Sequence, residues 1–132
     1  MTKIDTYLFF DGNCGDAMRF YERVLGGTLK IVPADQVPGG NPDQVMHAHL
    51  DADGAVLLAS DWMDTTPFPG KQGFSVTLSV DSVDRAKQLF EGLSDGGKVT
   101  SPFDKTFFSD GFGMLVDRYG TPWMVMAERA GS

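Results

Sequence analysis

The chain repeats itself. Asp16-Ala17 followed by Phe20-Tyr21-Glu22 returns as Arg85-Ala86 followed by Leu89-Phe90-Glu91, so two copies of one unit stand a little over half the 132-residue chain apart. Self-similarity at a fixed offset constrains the whole fold. Two half-size units that each expose one apolar sheet face must pair, and pairing two curved sheets leaves a cleft, where a ligand is to be sought. The second copy closes on Phe107-Phe108-Ser109-Asp110-Gly111-Phe112-Gly113 and on Asp117-Arg118-Tyr119-Gly120-Thr121-Pro122-Trp123.

Each copy reads as strand, helix and three strands. Residues 6–10 are β-branched and aromatic and stop at Asp11-Gly12-Asn13, the pattern of a strand ending in a turn. Ala17, Phe20, Tyr21, Val24 and Leu25 keep helical spacing on one stripe, with Asn13 as N-cap and Gly26-Gly27 as stop. Residues 28–32 form a second strand, 33–43 a loop rich in proline and glycine, and 45–50 and 55–59 a hairpin across Asp51-Ala52-Asp53-Gly54. A connector over 61–73 leads to the second copy. There 75–80 alternates as a half-buried strand, and Asp81 or Ser82 caps a helix carrying Val83, Ala86, Leu89, Phe90 and Leu93. Strands follow at 98–100, 112–117 and 122–128, with a loop over 101–111. Phe20, Tyr21, Phe90, Phe112 and Trp123 are expected in the core, and Asp51, Asp53, Asp61 and Asp64 in solvated turns. The chain is expected to be one domain over 1–132, α+β in class, with modules at about 4–60 and 74–129 forming a curved mixed sheet around the cleft.

A chain of this length buries roughly two-thirds of its unfolded surface without a staple. The formal charge of −7 argues against nucleic acid and anionic membranes, since phosphate binding needs clustered Lys and Arg. The longest apolar runs, 55–59 and 123–127, fall far short of the roughly 20 residues of a spanning helix, and the first residues lack the apolar core of a signal peptide. A cytosolic location is expected. Cys14 stands alone, which excludes an intrachain disulfide, and is read as a small residue at a helix entrance.

The doubled βαβββ pattern, with residues 7–17, Phe20-Tyr21, Val45-Met46-His47-Ala48, Ser60-Asp61, Phe107-Phe108, Phe112-Gly113 and the run from Asp117 to Trp123, resembles the vicinal oxygen chelate superfamily of glyoxalase I, extradiol dioxygenases and bleomycin-resistance proteins. Within it the chain is similar to the PhnB-like subfamily, also named for a 3-demethylubiquinone-9 3-methyltransferase. It departs from the subfamily in two places: Phe108-Ser109 stands where a tryptophan-glycine pair is usual, and His49 stands where Glu is usual. Methyl transfer is set aside, because an S-adenosylmethionine enzyme typically presents a glycine-rich turn between strand and helix. Here Gly111 to Gly113 is placed before a strand, and Gly70 to Gly73 in the connector.

The resemblance implies a divalent metal held by a His on the first strand and a Glu on the last strand of each unit, with open positions for a substrate's oxygens. The corresponding positions here are Asp5, Ser75 and Met124, which make no such site, and no cofactor is expected. Two functions follow. The first is a protein that binds a small, partly apolar molecule in its cleft by sequestration or sensing, through Tyr7, Phe9, His47, His49, Ser75, Thr77, Phe107, Phe108 and Met124. Met126 and Trp62 stand nearby. Aromatic faces and thioethers suit a flat ligand, and hydroxyls and imidazoles orient it. The alternative is a metal-dependent lyase, isomerase or dioxygenase. It would use a rearranged site of His47 and His49, two apart on one strand face, with Glu128 and Asp5. No catalytic residue is assigned. A homodimer is expected, since sheet edges are left open in a single chain.

Overall fold

The computed structural model describes residues 2–128 as two compact units that divide at Pro69 and Gly70. In the first, β1 (Thr6–Phe10) leads to α1 (Cys14–Leu25), then β2 (Thr28–Pro33), β3 (Val45–Ala52) and β4 (Ala55–Asp61). In the second, β5 (Val76–Val80) leads to α2 (Val83–Ser94), then β6 (Lys98–Asp104), β7 (Gly111–Val116) and β8 (Pro122–Ala127). The sheets have the same topology, β1-β4-β3-β2 and β5-β8-β7-β6, with β1–β4 and β5–β8 parallel and the other pairs antiparallel. This is the α+β arrangement expected from the doubled βαβββ pattern, and the duplication read from the sequence is a duplication of strand order.

In each unit the helix covers one face of its sheet. Leu8 and Phe10 of β1, Ala48 and Leu50 of β3 and Leu57 and Ala59 of β4 are buried beneath α1, which contributes Ala17, Met18, Phe20 and Tyr21. In the second unit Val76, Trp123 and Leu115 form one cross-strand row on the helix side. Leu78, Val125 and Gly113 form the next, and Ala86, Leu89, Phe90 and Leu93 of α2 pack on both.

Both helices return to their sheets through a glycine pair, and the second glycine of each pair meets a strand end. A Cβ on Gly27 would collide with the carbonyl of Asp51, and one on Gly97 with the carbonyl of Val116. The β3–β4 connection turns at Asp53 and Gly54, both at positive φ, as a two-residue hairpin requires.

Several expectations are corrected. β6 runs to Asp104 where a loop was expected from residue 101, and β2 includes Pro33, followed by a short 3-10 turn at Ala34–Gln36 inside the expected loop. β2 and β6 are edge strands, where a proline such as Pro33 or Pro102 need not donate to a neighbour. Gly111 and Gly113 lie within β7, not before it. Phe112 is half-buried on the face away from α2, paired with Met126. The rings of Phe103 and Phe90 sit over Gly111 and Gly113, so the helix side of β7 is filled by borrowed aromatics.

The largest correction concerns Asp61, which is buried, not solvated. It accepts N–H bonds from Cys14 at 2.9 Å and from Val45 at 2.7 Å, and Asn13 makes no side-chain cap. The carboxylate at the end of β4 thus caps α1 from across the unit, where the helix dipole favours negative charge.

Candidate functional site

The strand alternation that buries Leu8 and Phe10 turns Tyr7 and Phe9 to the opposite face, where they are 40% and 41% exposed. In register, Tyr7 pairs with Leu58, Leu58 with His49 and His49 with Lys30, giving one row across the open face of the first sheet. His47, paired with Val32, belongs to the next row. Tyr7 Oη lies 3.4 Å from His47 Nδ1, a long contact in which the phenol donates when that nitrogen is unprotonated.

An aromatic series extends from this pair. Tyr7 and Phe9 have ring centroids 5.0 Å apart, and Phe9 meets the edge of Trp62 at 5.4 Å and 89°. Trp62 is fixed by its indole N–H, which donates to the Thr66 carbonyl at 2.8 Å, and by an edge contact with Phe68. Beside it opens a hollow of about 350 Å³ lined by Phe9, Met46, Ser60, Trp62, Met63 and the two aspartates 61 and 64. His49 lines a different, more polar hollow with Lys30, Asp51 and Asp53. The two histidines share a sheet face but serve different surroundings.

In the second unit Thr77, Met124 and Met114 form one row of the open face, and Ser79, Met126 and Phe112 the next. Thr77 Oγ1 contacts the Met124 sulfur at 3.7 Å. Ser75 lies just before β5 and is half-buried. Phe107 and Phe108 stand in the loop between β6 and β7, 89% and 45% exposed, and Phe108 packs edge-on against Phe112 at 5.1 Å. That loop is held by Thr106, whose hydroxyl accepts the N–H groups of Phe108 and Ser109.

The motif that ends the second copy is a structural clasp. Asp117 is buried and accepts bonds from the backbone N–H of Tyr119 and Thr121 and from the indole N–H of Trp123 at 2.8 Å. One carboxylate therefore forms the turn and satisfies the polar atom of the largest core side chain. Ser109 has a comparable role: its Oγ lies 2.6 Å from the Ala127 carbonyl and 2.7 Å from that of Gly111, tying the loop to β8. Sequence reasoning missed these buried polar groups, because hydrophobic alternation does not mark a polar side chain that is buried by its bonds to a turn.

The metal positions implied by the fold can be located by register. Because Tyr7 pairs with Leu58 as Thr77 pairs with Met124, Leu58 is the first unit's counterpart of Met124. The four positions thus hold Asp5, Leu58, Ser75 and Met124: a carboxylate, a hydrocarbon, a hydroxyl and a thioether. Hard divalent cations require several oxygen or imidazole donors, so this set does not fit one. Asp5 is moreover paired with Lys3 at 3.4 Å. Among the described residues no three His, Cys, Asp or Glu side chains come together in a group that could hold a metal ion. No helix among them is long and apolar enough to cross a membrane.

Comparison with known proteins agrees with this architecture. The family model described as 3-demethylubiquinone-9 3-methyltransferase matches residues 2–126. Protein YjdN of Escherichia coli (strain K12) is 34% identical over 140 aligned positions, covering 92% of each chain. Protein PA1353 from Pseudomonas aeruginosa is 40% identical with a TM-score of 0.91, covering 97% of this chain and 98% of its own. The PhnB protein from Bacillus cereus is 26% identical with a TM-score of 0.77, covering 96% and 99% of the two chains. A glyoxylase/bleomycin resistance protein/dioxygenase domain from Frankia sp. EAN1pec, 18% identical over 100% of this chain and 96% of its own, shares the fold with a TM-score of 0.69. The chain belongs to the PhnB-like family whose model carries the 3-demethylubiquinone-9 3-methyltransferase description.

Proposed function

We propose that this protein binds a small, partly apolar molecule on the open faces of its sheets and acts by sequestering or sensing it, without the metal used elsewhere in the superfamily. The observation that carries the proposal is the set of His47, Tyr7, Phe9 and Trp62, whose rings touch in that series on the face that α1 does not cover. Large aromatics held part-exposed by their neighbours offer flat apolar surface at little further entropy cost, and the His47 imidazole and Tyr7 hydroxyl supply direction. Thr77 and Met124, with Ser75 before them, give the second sheet a polar-edged thioether surface, and Phe107 and Phe108 add exposed aromatic area. His49 completes the set at the polar end of the first sheet.

The donor types at Asp5, Leu58, Ser75 and Met124 support a metal-free mode of binding. Methyl transfer finds no support in the strand order. The helices lie on one face of mixed sheets, whereas dinucleotide-type cofactor sites are built at the carboxyl ends of parallel strands with helices on both sides. The two units work as one domain in this reading, the protein is cytosolic, and it is a homodimer with two equivalent sites.

Elemental analysis after purification with and without added Zn, Ni, Mn and Fe tests the metal-free claim. Substoichiometric metal is expected, and one EDTA-removable ion per chain, lost in His47→Ala or His49→Ala, would overturn it. A thermal-shift screen of metabolites and antibiotics tests binding itself. Light scattering that gave the 14.3 kDa monomer mass at micromolar concentration would refute the dimer.

A further inference from the structure

The hollow beside Trp62 differs in charge from the rest of the open face. Its apolar lining is aromatic and thioether, from Phe9, Trp62, Met46 and Met63, and its only ionisable side chains among the described residues are Asp61 and Asp64. Both Asp61 oxygens accept backbone N–H bonds, which offsets part of its charge, while Asp64 lies in the exposed segment that follows β4. Among the described residues no Lys, Arg or His lines the hollow. Aromatic faces attract cations through their quadrupole, thioethers are polarisable, and an aspartate beside them adds attraction of the same sign. The chain's formal charge of −7 adds a long-range field in the same direction. An anion placed here would face two carboxylates and, among the described residues of the lining, no compensating cation.

We propose that this hollow takes an organic cation with a flat or apolar body, an aryl- or alkylammonium. The proposal rests on the small-molecule reading above and specifies the chemistry of its ligand. Trp62 is oriented before any ligand arrives, by its bond to Thr66 and its edge contacts with Phe9 and Phe68, so its indole is a preformed wall of the site.

Three probes of similar size separate charge from shape: benzyltrimethylammonium, benzyl alcohol and phenylacetate. Titration of the full chain is followed by NMR chemical shifts and by tryptophan fluorescence, to which Trp123 contributes as a fully buried indole. The cation is expected to bind at least about tenfold more tightly than either other probe, with shifts centred on Phe9, Trp62 and Met63. Asp64→Asn, a change at an exposed position that keeps shape, should weaken the cation severalfold and leave benzyl alcohol unaffected. Trp62→Leu should abolish binding of all three. If benzyl alcohol or phenylacetate binds at Trp62 as tightly as the cation, or if Asp64→Asn leaves the cation's affinity unchanged, the charge assignment is overturned while small-molecule binding stands. If the cation causes no shift at Phe9, Trp62 or Met63, the cation site is refuted, and the metabolite screen decides the wider reading independently.

Discussion

Replacing Asp61 with alanine should destabilise the fold more than any other aspartate substitution in the first unit. Asp61 is 2% exposed, and its two oxygens accept the N–H of Cys14 at 2.9 Å and of Val45 at 2.7 Å. Truncation leaves both donors without a partner, and each buried unsatisfied donor costs about 1 to 3 kcal/mol. Losing a negative charge at the start of α1 adds about 0.3 to 1 kcal/mol. Water entering from the adjoining hollow recovers part of this, so the lower half of the range applies and the net loss is about 3 kcal/mol. With a urea m-value of about 2 kcal/mol/M, the unfolding midpoint should fall by about 1.5 M. Asn also fails, because its amide group presents a donor to one of the two N–H groups where a carboxylate presents acceptors to both. Asp64→Ala, at an exposed position, is the control and should stay within about 0.5 kcal/mol of the parent. The measurement is a pair of urea curves by far-UV circular dichroism. A loss below about 1 kcal/mol for Asp61→Ala, or equal losses for both variants, would refute the capping argument.

Three further outcomes follow from the same geometry. Gly97→Ala should lower thermal stability by more than about 1 kcal/mol, because its Cβ would meet the Val116 carbonyl; calorimetry showing an unchanged or raised midpoint would contradict the close approach. Leu78→Ala, on the helix side of β5 but only half-buried, should cost about 2 kcal/mol in urea. Met124→Ala, on the opposite face, should change ligand-induced melting shifts with a smaller stability loss, and the reverse pattern would mean inverted strand faces. Ser109→Ala should cost about 1 to 3 kcal/mol by leaving the Gly111 N–H and the Ala127 carbonyl short of a partner, and a neutral result in urea would show that the Oγ contacts carry no net stabilisation.

The elements with strong local pattern were legible in the chain: β1 from its aromatic run, α1 and α2 from their apolar stripes, and the β3–β4 turn from Asp53-Gly54. So was the face on which Tyr7 and Phe9 stand, since alternation fixes it once Leu8 and Phe10 are assigned inward. Four kinds of feature were not. Asp61 and Asp117 are polar residues whose worth depends on partners that alternation does not mark, including Cys14 and Val45 for the first, so Asp61 resembles a solvated turn residue and Asp117 the end of a strand. β6 continues past residue 100 through Pro102, a residue that local pattern sets against a strand, and only the strand order reveals that it sits on an edge. Phe112 was assigned inward by size, whereas the space above Gly111 and Gly113 is taken by Phe103 and Phe90, which arrive from other elements. The hollow beside Trp62 lay in what reads as a connector, where no periodicity exists to assign a face.

The most direct test of the central claim is a crystal structure of the protein purified with added Zn, Ni, Mn and Fe and without chelator, in complex with a ligand from the thermal-shift screen. The account predicts density for the ligand against Tyr7, Phe9, His47 or Met124, on a sheet face that no helix covers, with no ion between ligand and protein. A ligand held through a metal on His47 or His49, or seated against α1 or α2 with those four side chains untouched, would contradict it.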